Sequence, residues 1–260
     1  DIRDKNTHHV MAKVTVKTRA IVLQSIKYGD SSLVVKMLTE EMGLQSFMVK
    51  GVYGKKSKMK AALFQNMMLL DIVAELGNSS LGFIKEISLS HYYKSIGLDF
   101  KKTTILIFVS ELLSKSMAES EPDTNLFNFV YDSMLWLDDA EPGYADFSMI
   151  FAMKLSASLG FFPNLDTYTE KTCFDLLDGN FKKNSNDDIY KIDEELSSAF
   201  YQLSVVSSRK SAFSQVLSLS DSQVLKTRRQ LLDTIVTYYK LHSDNVKEIK
   251  SHEILREMYG

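Results

Sequence analysis

Lysines with the clustering of a phosphate-binding surface occur in a short segment, residues 50–60, which reads KGVYGKKSKMK. The segment contains no acidic residue, and Gly51 and Gly54 allow its backbone to turn tightly and to approach a ligand. Between these glycines, Tyr53 offers a ring on which a nucleic-acid base can stack. Clustered lysines are the electrostatic signature of phosphate-backbone binding. The segment therefore predicts a nucleic-acid contact or, as the alternative, a solvated hairpin tip.

The charge of the chain is divided unevenly along its length. The formal net charge of −2 does not by itself favour nucleic acid. Residues 11–66, however, contain ten lysines and arginines against three acids, a net charge of +7. Residues 119–146 contain eight acids and no lysine or arginine, a net charge of −8. Such asymmetry concerns binding partners rather than fold, and it predicts a basic first domain followed by an acidic segment.

Residues that could form a catalytic or metal site are sparse. Beyond residue 10 the histidines are His91, His242 and His252, which lack the spacing of a metal motif. The stretch GVYGKKS, residues 51–57, misses the spacing of a P-loop. The acids of residues 132–146 are interpreted as a solvated helix face rather than as paired catalytic carboxylates. We therefore expect no catalysis, no metal and no cofactor. The enzyme alternative, a nuclease, would require metal-dependent turnover.

Two further features concern the compartment. The longest apolar runs are far shorter than the roughly 20 residues of a membrane span, so we expect no membrane segment. Cys173 is the only cysteine, which fits a reducing cytoplasm.

The first part of the chain has the alternating pattern of β-strands. Five predicted strands cover residues 14–26, 33–38, 44–49, 67–76 and 82–91, and short turns such as Tyr28-Gly29-Asp30 join them. Five strands in so short a domain favour a partly open β-barrel of the oligonucleotide-binding (OB) type. An SH3-like barrel would give a similar pattern.

Beyond residue 100 the apolar period becomes helical. Predicted helices cover residues 103–117, 126–137, 145–159 and 196–203, a long helix capped at Ser220 or Asp221 runs to Tyr239, and a short one starts at Ser251. The polar segment 166–193 predicts a small hairpin insertion. The fold class is thus α+β and multidomain, with an OB-type barrel in residues 11–95 and a helical domain in residues 96–260. Residues 1–10 have no apolar period and are interpreted as an expression leader.

A basic barrel with interspersed rings has the two components of sequence-tolerant single-strand binding, a charged track and stacking surfaces. The predicted DNA-binding residues are Arg19, Lys27, Lys36, Lys50, Tyr53, Lys55, Lys56, Lys58 and Lys60. Tyr28, Phe47 and Phe64 are further rings in this region, and each taken singly is more typical of a core.

Residues 18–72 resemble the N-terminal barrel of the bacterial RecO recombination mediators. The shared features are the opening at Arg19–Leu23, the turns at Tyr28–Ser32 and Thr39–Gly43, and the loop at Lys50–Tyr53. Leu159-Gly160-Phe161 is similar to a helix end of that family, and Lys250–Leu255 is similar to its terminal helix. The likeness therefore covers most of the chain.

The resemblance implies binding of single- and double-stranded DNA, annealing of complementary strands, and loading of RecA, with RecR, onto strands coated by single-stranded-DNA-binding protein. It implies RecR and the acidic C-terminal tail of the coating protein as partners, RecA as an indirect one, and a cytoplasmic, nucleoid-associated location. Many members hold zinc through four cysteines in the hairpin. Because only Cys173 is present here, we expect no zinc and another means of stabilising the hairpin.

The coating-protein tail ends in apolar residues and a carboxylate, so it requires an apolar pocket edged by cations. Lys226, Arg228 and Arg229 border the apolar stripe of the predicted long helix, and we hypothesise that they form this edge. The alternative is that they only keep the helix soluble. For the whole protein, the alternative function is an interaction scaffold that acts mainly through its helical domain and binds DNA weakly.

Overall fold

The computed structural model describes residues 13–54, 61–77, 81–118, 121–183, 189–210, 212–214 and 224–258. The chain forms two compact units. One contains the described residues up to Tyr92 together with those of 119–127, and the other contains Tyr93–Ala118 and the described residues from Asn128 onward. The predicted leader lies outside the described residues, and the domain bounds 11–95 and 96–260 remain predictions.

A five-stranded barrel makes up most of the first unit. Its strands are β1 Val14–Tyr28, β2 Ser32–Thr39, β3 Gly43–Val49, β4 Leu69–Leu76 and β5 Leu81–Leu89. The strand order is β1-β2-β3-β5-β4, and β1 also pairs with β4, so the ring is closed. All pairs are antiparallel except β3 with β5. This order confirms the predicted OB-type barrel, although the ring is closed and not partly open.

The length of β1 explains how the ring closes. Its first half, Val14–Ile21, pairs with β4, and its second half, Ala20–Tyr28, pairs with β2. An irregularity in the pairing between Val22 and Gln24 interrupts the strand near this change of partner. Bulges of this kind bend a strand and let it turn the corner of a barrel.

Inward-facing side chains fill the barrel. Its core includes Val35, Phe47, Phe64 and Ile72, each with an exposed fraction of 1% or less. Because a small barrel must be packed by side chains from alternate strand positions, the two phenylalanines serve the core. Neither Phe47 nor Phe64 is accessible for base stacking.

Helices form most of the second unit. They are α1 Phe100–Ser116, α2 Thr124–Asp139, α3 Phe147–Ser158, α4 Glu194–Ser207, α5 Val224–His242 and α6 Ser251–Glu257; the first turn of α2 belongs to the first unit. The predicted hairpin consists of β6 Thr172–Asp175 and β7 Asn180–Lys183. The α1 helix begins earlier than predicted because the Asp99 side chain accepts hydrogen bonds from the backbone N–H groups of Lys101 and Lys102. The predicted cap of α5 lies outside the described residues.

Two acids that were interpreted as part of a solvated helix face are buried structural groups. Asp138, 3% exposed, accepts hydrogen bonds from the backbone N–H groups of residues 94–96. Asp146, 2% exposed, accepts two hydrogen bonds from the Arg228 guanidinium, at 2.7 and 3.1 Å. Because both acids are buried and hydrogen-bonded, the solvated interpretation is wrong for both. Local sequence patterns do not show this, since the donors are distant in the sequence.

Glu111 on α1 holds the start of α6. Its carboxylate accepts hydrogen bonds from the backbone N–H groups of Lys250 and Ser251, at 3.1 and 2.8 Å, and from Lys115 Nζ at 2.7 Å. Burial by itself would raise the pKa of Glu111, but these donors together outweigh it and lower the pKa from 4.5 to about 2.

The direction of this shift predicts how stability depends on pH. A depressed folded-state pKa stabilises the fold above the unfolded value of 4.5, and the contribution is lost as the pH falls from there toward about 2. Allowing for solvent screening, we expect Glu111→Gln to lower the free energy of unfolding by about 1 to 2 kcal/mol near neutral pH. Urea unfolding of both proteins across this pH range measures the difference. A difference that does not shrink on acidification would contradict the assignment.

Candidate nucleic-acid interface

A row of apolar side chains crosses the outer face of the barrel. Ile26 on β1 pairs with Val34 on β2. Val34 also pairs with Met48 on β3, and Met48 pairs with Phe83 on β5. Directly opposed residues project from the same side of a sheet, and the adjacent Phe47 points into the core. We call these four residues the apolar row.

The apolar row is accessible to a ligand. Ile26 is 54% exposed and Phe83 is 37% exposed, while Val34 and Met48 are half-buried. The solvent face of an antiparallel sheet is usually polar, so four consecutive apolar partners on one outer face indicate a binding surface. Charge and hydropathy patterns in the sequence do not reveal this row, because its members lie in four separate strands.

Lysines border the apolar row. Lys36 lies two residues after Val34 on β2 and thus on the same face, where it pairs with Gln24 and Ser46. Lys50 follows β3 and is exposed, and its Nζ lies 5.3 Å from the centroid of the Phe83 ring. Such a ring can stack on the face of a base, and the cation beside it can pair with a phosphate of the same strand.

A second ring and cation lie at the end of β1. Lys27 Nζ is 5.6 Å from the centroid of the Tyr53 ring. The Tyr53 side chain is 50% exposed, and Tyr28 beside Lys27 in the sequence is 61% exposed. Of the predicted site residues, the structure therefore brings Lys27 together with Tyr53, and it places Lys50 against Phe83, which was not predicted.

The backbone before Tyr53 fixes the position of that ring. Gly51 has a φ of +72°, a conformation that favours glycine. The next residue, Val52, is buried, and its N–H donates to the Ser31 carbonyl at 2.9 Å. Tyr53 is thus held beside the β1–β2 turn. Lys55, Lys56, Lys58 and Lys60 lie outside the described residues, and their part in the interface remains a prediction.

Arg19 is engaged within the protein. Its guanidinium donates two hydrogen bonds to Glu40, at 2.8 and 2.6 Å, and lies 5.2 Å from the centroid of the Phe127 ring. The hydrogen bond from Arg19 lowers the pKa of Glu40. Because these contacts occupy the guanidinium, the geometry does not support Arg19 as an open cation of the predicted track.

The three cations predicted for the partner edge have different surroundings. Arg228 is paired with the buried Asp146. Lys226 lines a cavity of about 60 Å³ beside Asp193 and Glu195. Arg229 lines a different cavity, of about 490 Å³, with residues of α6. Arg228 is thus engaged within the protein, and a tail-binding edge at Lys226, Arg228 and Arg229 stays a prediction.

The hairpin does not fit a four-cysteine zinc site. Cys173 is 1% exposed, and burial raises the pKa of its thiol, which disfavours the thiolate that zinc requires. Among the described residues no group of three or more His, Cys, Asp and Glu side chains is placed to hold a metal. Lys182 Nζ instead bridges Asp175, at 2.9 Å, and Asp178 across the hairpin.

An aromatic cluster packs the hairpin against its surroundings. Phe174 on β6 lies 4.8 Å from Phe181 on β7 and 4.7 Å from Phe200 on α4, measured between ring centroids. Tyr168 stacks on Tyr201 at 3.8 Å with an angle of 8° between the rings. Aromatic packing of this kind supplies hydrophobic burial and adds a favourable ring geometry.

We therefore expect exhaustive chelation to leave the thermal unfolding midpoint unchanged. Tyr201→Ala, which removes the ring stacked on Tyr168, should lower the free energy of unfolding by about 1 kcal/mol. Circular dichroism melting after dialysis against a chelator, with and without added zinc, measures the first effect. A midpoint that falls on chelation and recovers with zinc would show that the hairpin depends on a metal.

A closed barrel of OB order with an exposed apolar row and bordering lysines has the architecture of an oligonucleotide-binding domain. The chain belongs to the RecO family. Residues 11–93 match the family model described as Recombination protein O N terminal, and residues 97–181 match Recombination protein O C terminal.

Relatives along nearly the whole chain agree with this assignment. DNA repair protein RecO of Flavobacterium psychrophilum is 33% identical over 254 residues, which cover 94% of this chain and 99% of the relative. The protein of the same name from Bacteroides fragilis is 32% identical over 250 residues, covering 94% and 98%. The resemblance inferred from the sequence is confirmed. Among the described residues no helix is long and apolar enough to cross a membrane.

Proposed function

We propose that this protein is a DNA repair and recombination mediator that binds single- and double-stranded DNA through the outer face of its barrel and anneals complementary strands. With RecR, it would help to load RecA onto strands coated by single-stranded-DNA-binding protein. The observation that supports DNA binding most directly is the apolar row with Lys36 and Lys50 beside it. Membership of the RecO family supports the repair role.

Annealing by such a protein requires no catalytic group. Lysines that neutralise phosphates reduce the repulsion between two strands. Phosphate contacts position a strand without occupying the pairing edges of its bases. The rings of Phe83 and Tyr53 would hold a few bases by stacking, while the remaining bases stay free to pair. We therefore propose a binding protein and not an enzyme.

Contacts with proteins are proposed for the helical unit. RecR and the acidic tail of the coating protein are the partners that the family resemblance suggests. Arg228 is paired internally with Asp146, so the tail contact is proposed without its guanidinium. Lys226 and Arg229, both on α5, remain candidate contacts.

Annealing of two complementary oligonucleotides, followed by fluorescence energy transfer in a chelator-containing buffer, tests this function. We expect the protein to accelerate annealing of bare strands without a metal and also to anneal strands coated by single-stranded-DNA-binding protein. Acceleration only with the coating protein present would favour the scaffold function. Strand cleavage that appears on adding a divalent metal would favour a nuclease.

A further inference from the structure

A cavity of about 470 Å³ lies at the end of α2 in the helical unit. Its floor consists of Leu135 and Trp136 from α2 and of Phe213. Residues 139–143, which follow and include the last residue of α2, form its rim. We call this the acidic aromatic cavity, and none of its residues belongs to the interface on the barrel.

The Trp136 and Phe213 rings of the floor both pack on the buried Phe147. Trp136 stacks on the buried Phe147 with ring centroids 5.6 Å apart and an angle of 5° between the rings. Phe213 lies 4.6 Å from Phe147 and 5.4 Å from Trp136. Three mutually packed rings restrict one another, and Trp136, which lines the cavity, is half-buried. The floor is therefore a preformed surface for an apolar or cationic group.

Acidic side chains surround this floor. Asp139 and Glu141 lie on the rim, and Asp132 is one helical turn before Trp136 on α2. All three are exposed. Lys94 and the buried Lys102 are placed against this end of α2. Lys94 Nζ lies 3.1 Å from Asp139, and Lys102 Nζ donates to the carbonyls of Asp138 and Ala140. Four acids, Asp132, Asp138, Asp139 and Glu141, outnumber these two lysines, and residues 121–146 contain no lysine or arginine of their own. The charge of these groups around the cavity is therefore negative.

We propose that the acidic aromatic cavity binds a basic peptide segment in which apolar residues alternate with lysine or arginine. An ammonium or guanidinium group over the face of Trp136 would gain a cation–π interaction, and neighbouring cations would pair with Asp132 and Glu141. The same acids repel phosphates and carboxylates. They therefore exclude nucleic acid and an acidic peptide from this cavity, in contrast to the lysine-bordered face of the barrel.

The chain offers its own probe, because Trp136 is its only tryptophan. Titration with a short amidated peptide of alternating lysine and leucine should change the tryptophan emission in a saturable way. A matched peptide of alternating glutamate and leucine should leave it unchanged. The affinity should fall as salt is added, since exposed charge pairs are screened.

Charge reversal locates the binding. Asp132→Lys combined with Glu141→Lys should lower the affinity for the lysine–leucine peptide by about tenfold or more, because attractive charge pairs become repulsive. Asp244→Lys, at an exposed acid of the same unit that does not line the cavity, should leave the affinity unchanged. Circular dichroism melting of each variant verifies folding, and anisotropy of labelled peptide with Trp136→Phe provides a readout independent of the tryptophan.

Several outcomes would overturn the proposal. They are equal binding of the two peptides, no saturable change with either, or an equal loss in the double variant and in Asp244→Lys. An emission change that depends on protein concentration without peptide would assign the cavity to a second copy of the chain instead.

Discussion

Arg228→Ala is expected to lower the free energy of unfolding by about 3 to 5 kcal/mol. Asp146, the partner of Arg228, is only 2% exposed and stands at the start of α3. The Arg228 guanidinium on α5 donates hydrogen bonds to both carboxylate oxygens of Asp146, from Nε to Oδ1 at 2.7 Å and from Nη2 to Oδ2 at 3.1 Å. Removal of the guanidinium leaves a buried carboxylate without its charged partner, and the desolvation of that charge is then uncompensated.

A double-mutant cycle separates the ion pair from other effects. Arg228→Ala and Asp146→Ala together should cost less than the sum of the two single changes, since neither charge is then left alone. Arg229→Ala is the matched control from the same helix, and it should change the unfolding free energy by about 0.5 kcal/mol or less. Chemical denaturation of the five proteins, the wild type included, gives these values. Equal effects of Arg228→Ala and Arg229→Ala would mean that the pair contributes little.

Phe83→Ala is expected to weaken binding of single-stranded DNA by about tenfold to a hundredfold, because stacking of one base on a ring contributes about 1 to 3 kcal/mol. The ring lies in the apolar row beside Lys50. Duplex DNA hides the faces of its bases, so its binding should fall much less. The ratio of single-strand to duplex affinity is therefore the quantity that reports base contact.

Tyr92→Ala supplies the control for this prediction. Tyr92 belongs to the same unit and is 77% exposed, but it lies outside the apolar row. Fluorescence anisotropy with labelled single strands and duplexes at one fixed salt concentration measures all three proteins. Equal single-strand affinities of the Phe83→Ala and Tyr92→Ala proteins would contradict the proposal that the apolar row contacts bases.

The apolar row illustrates what sequence patterns leave out. Period-two alternation and turn residues predicted all five strands, because those signals are local. In β2, however, the outward Val34 lies between the buried Leu33 and Val35, so the strand reads as a continuous apolar run typical of burial on both faces. Which residues meet across strands depends on register, and register is settled by the whole barrel.

The partners of the buried charged residues could not be predicted from local patterns either. The lysines and acids were visible in the sequence, but the donors to Asp138 are 42 to 44 residues away and Arg228 is 82 residues from Asp146. Lys102, a surface lysine by its type, is 3% exposed and donates to the carbonyls of Asp138 and Ala140 at the end of α2. The hairpin was predicted from local turn residues, whereas its aromatic packing partners come from α4.

The most direct test of the proposed interface is single-stranded DNA binding across a salt series. The two proteins are the wild type and a variant in which Lys50, Lys55, Lys56, Lys58 and Lys60 are alanine. For single strands the logarithmic salt slope is about 0.7 for each neutralised phosphate. We predict that the variant binds more weakly and has a shallower slope, because fewer phosphates are contacted. Affinity and slope equal to those of the wild type would contradict the claim that this lysine segment binds DNA.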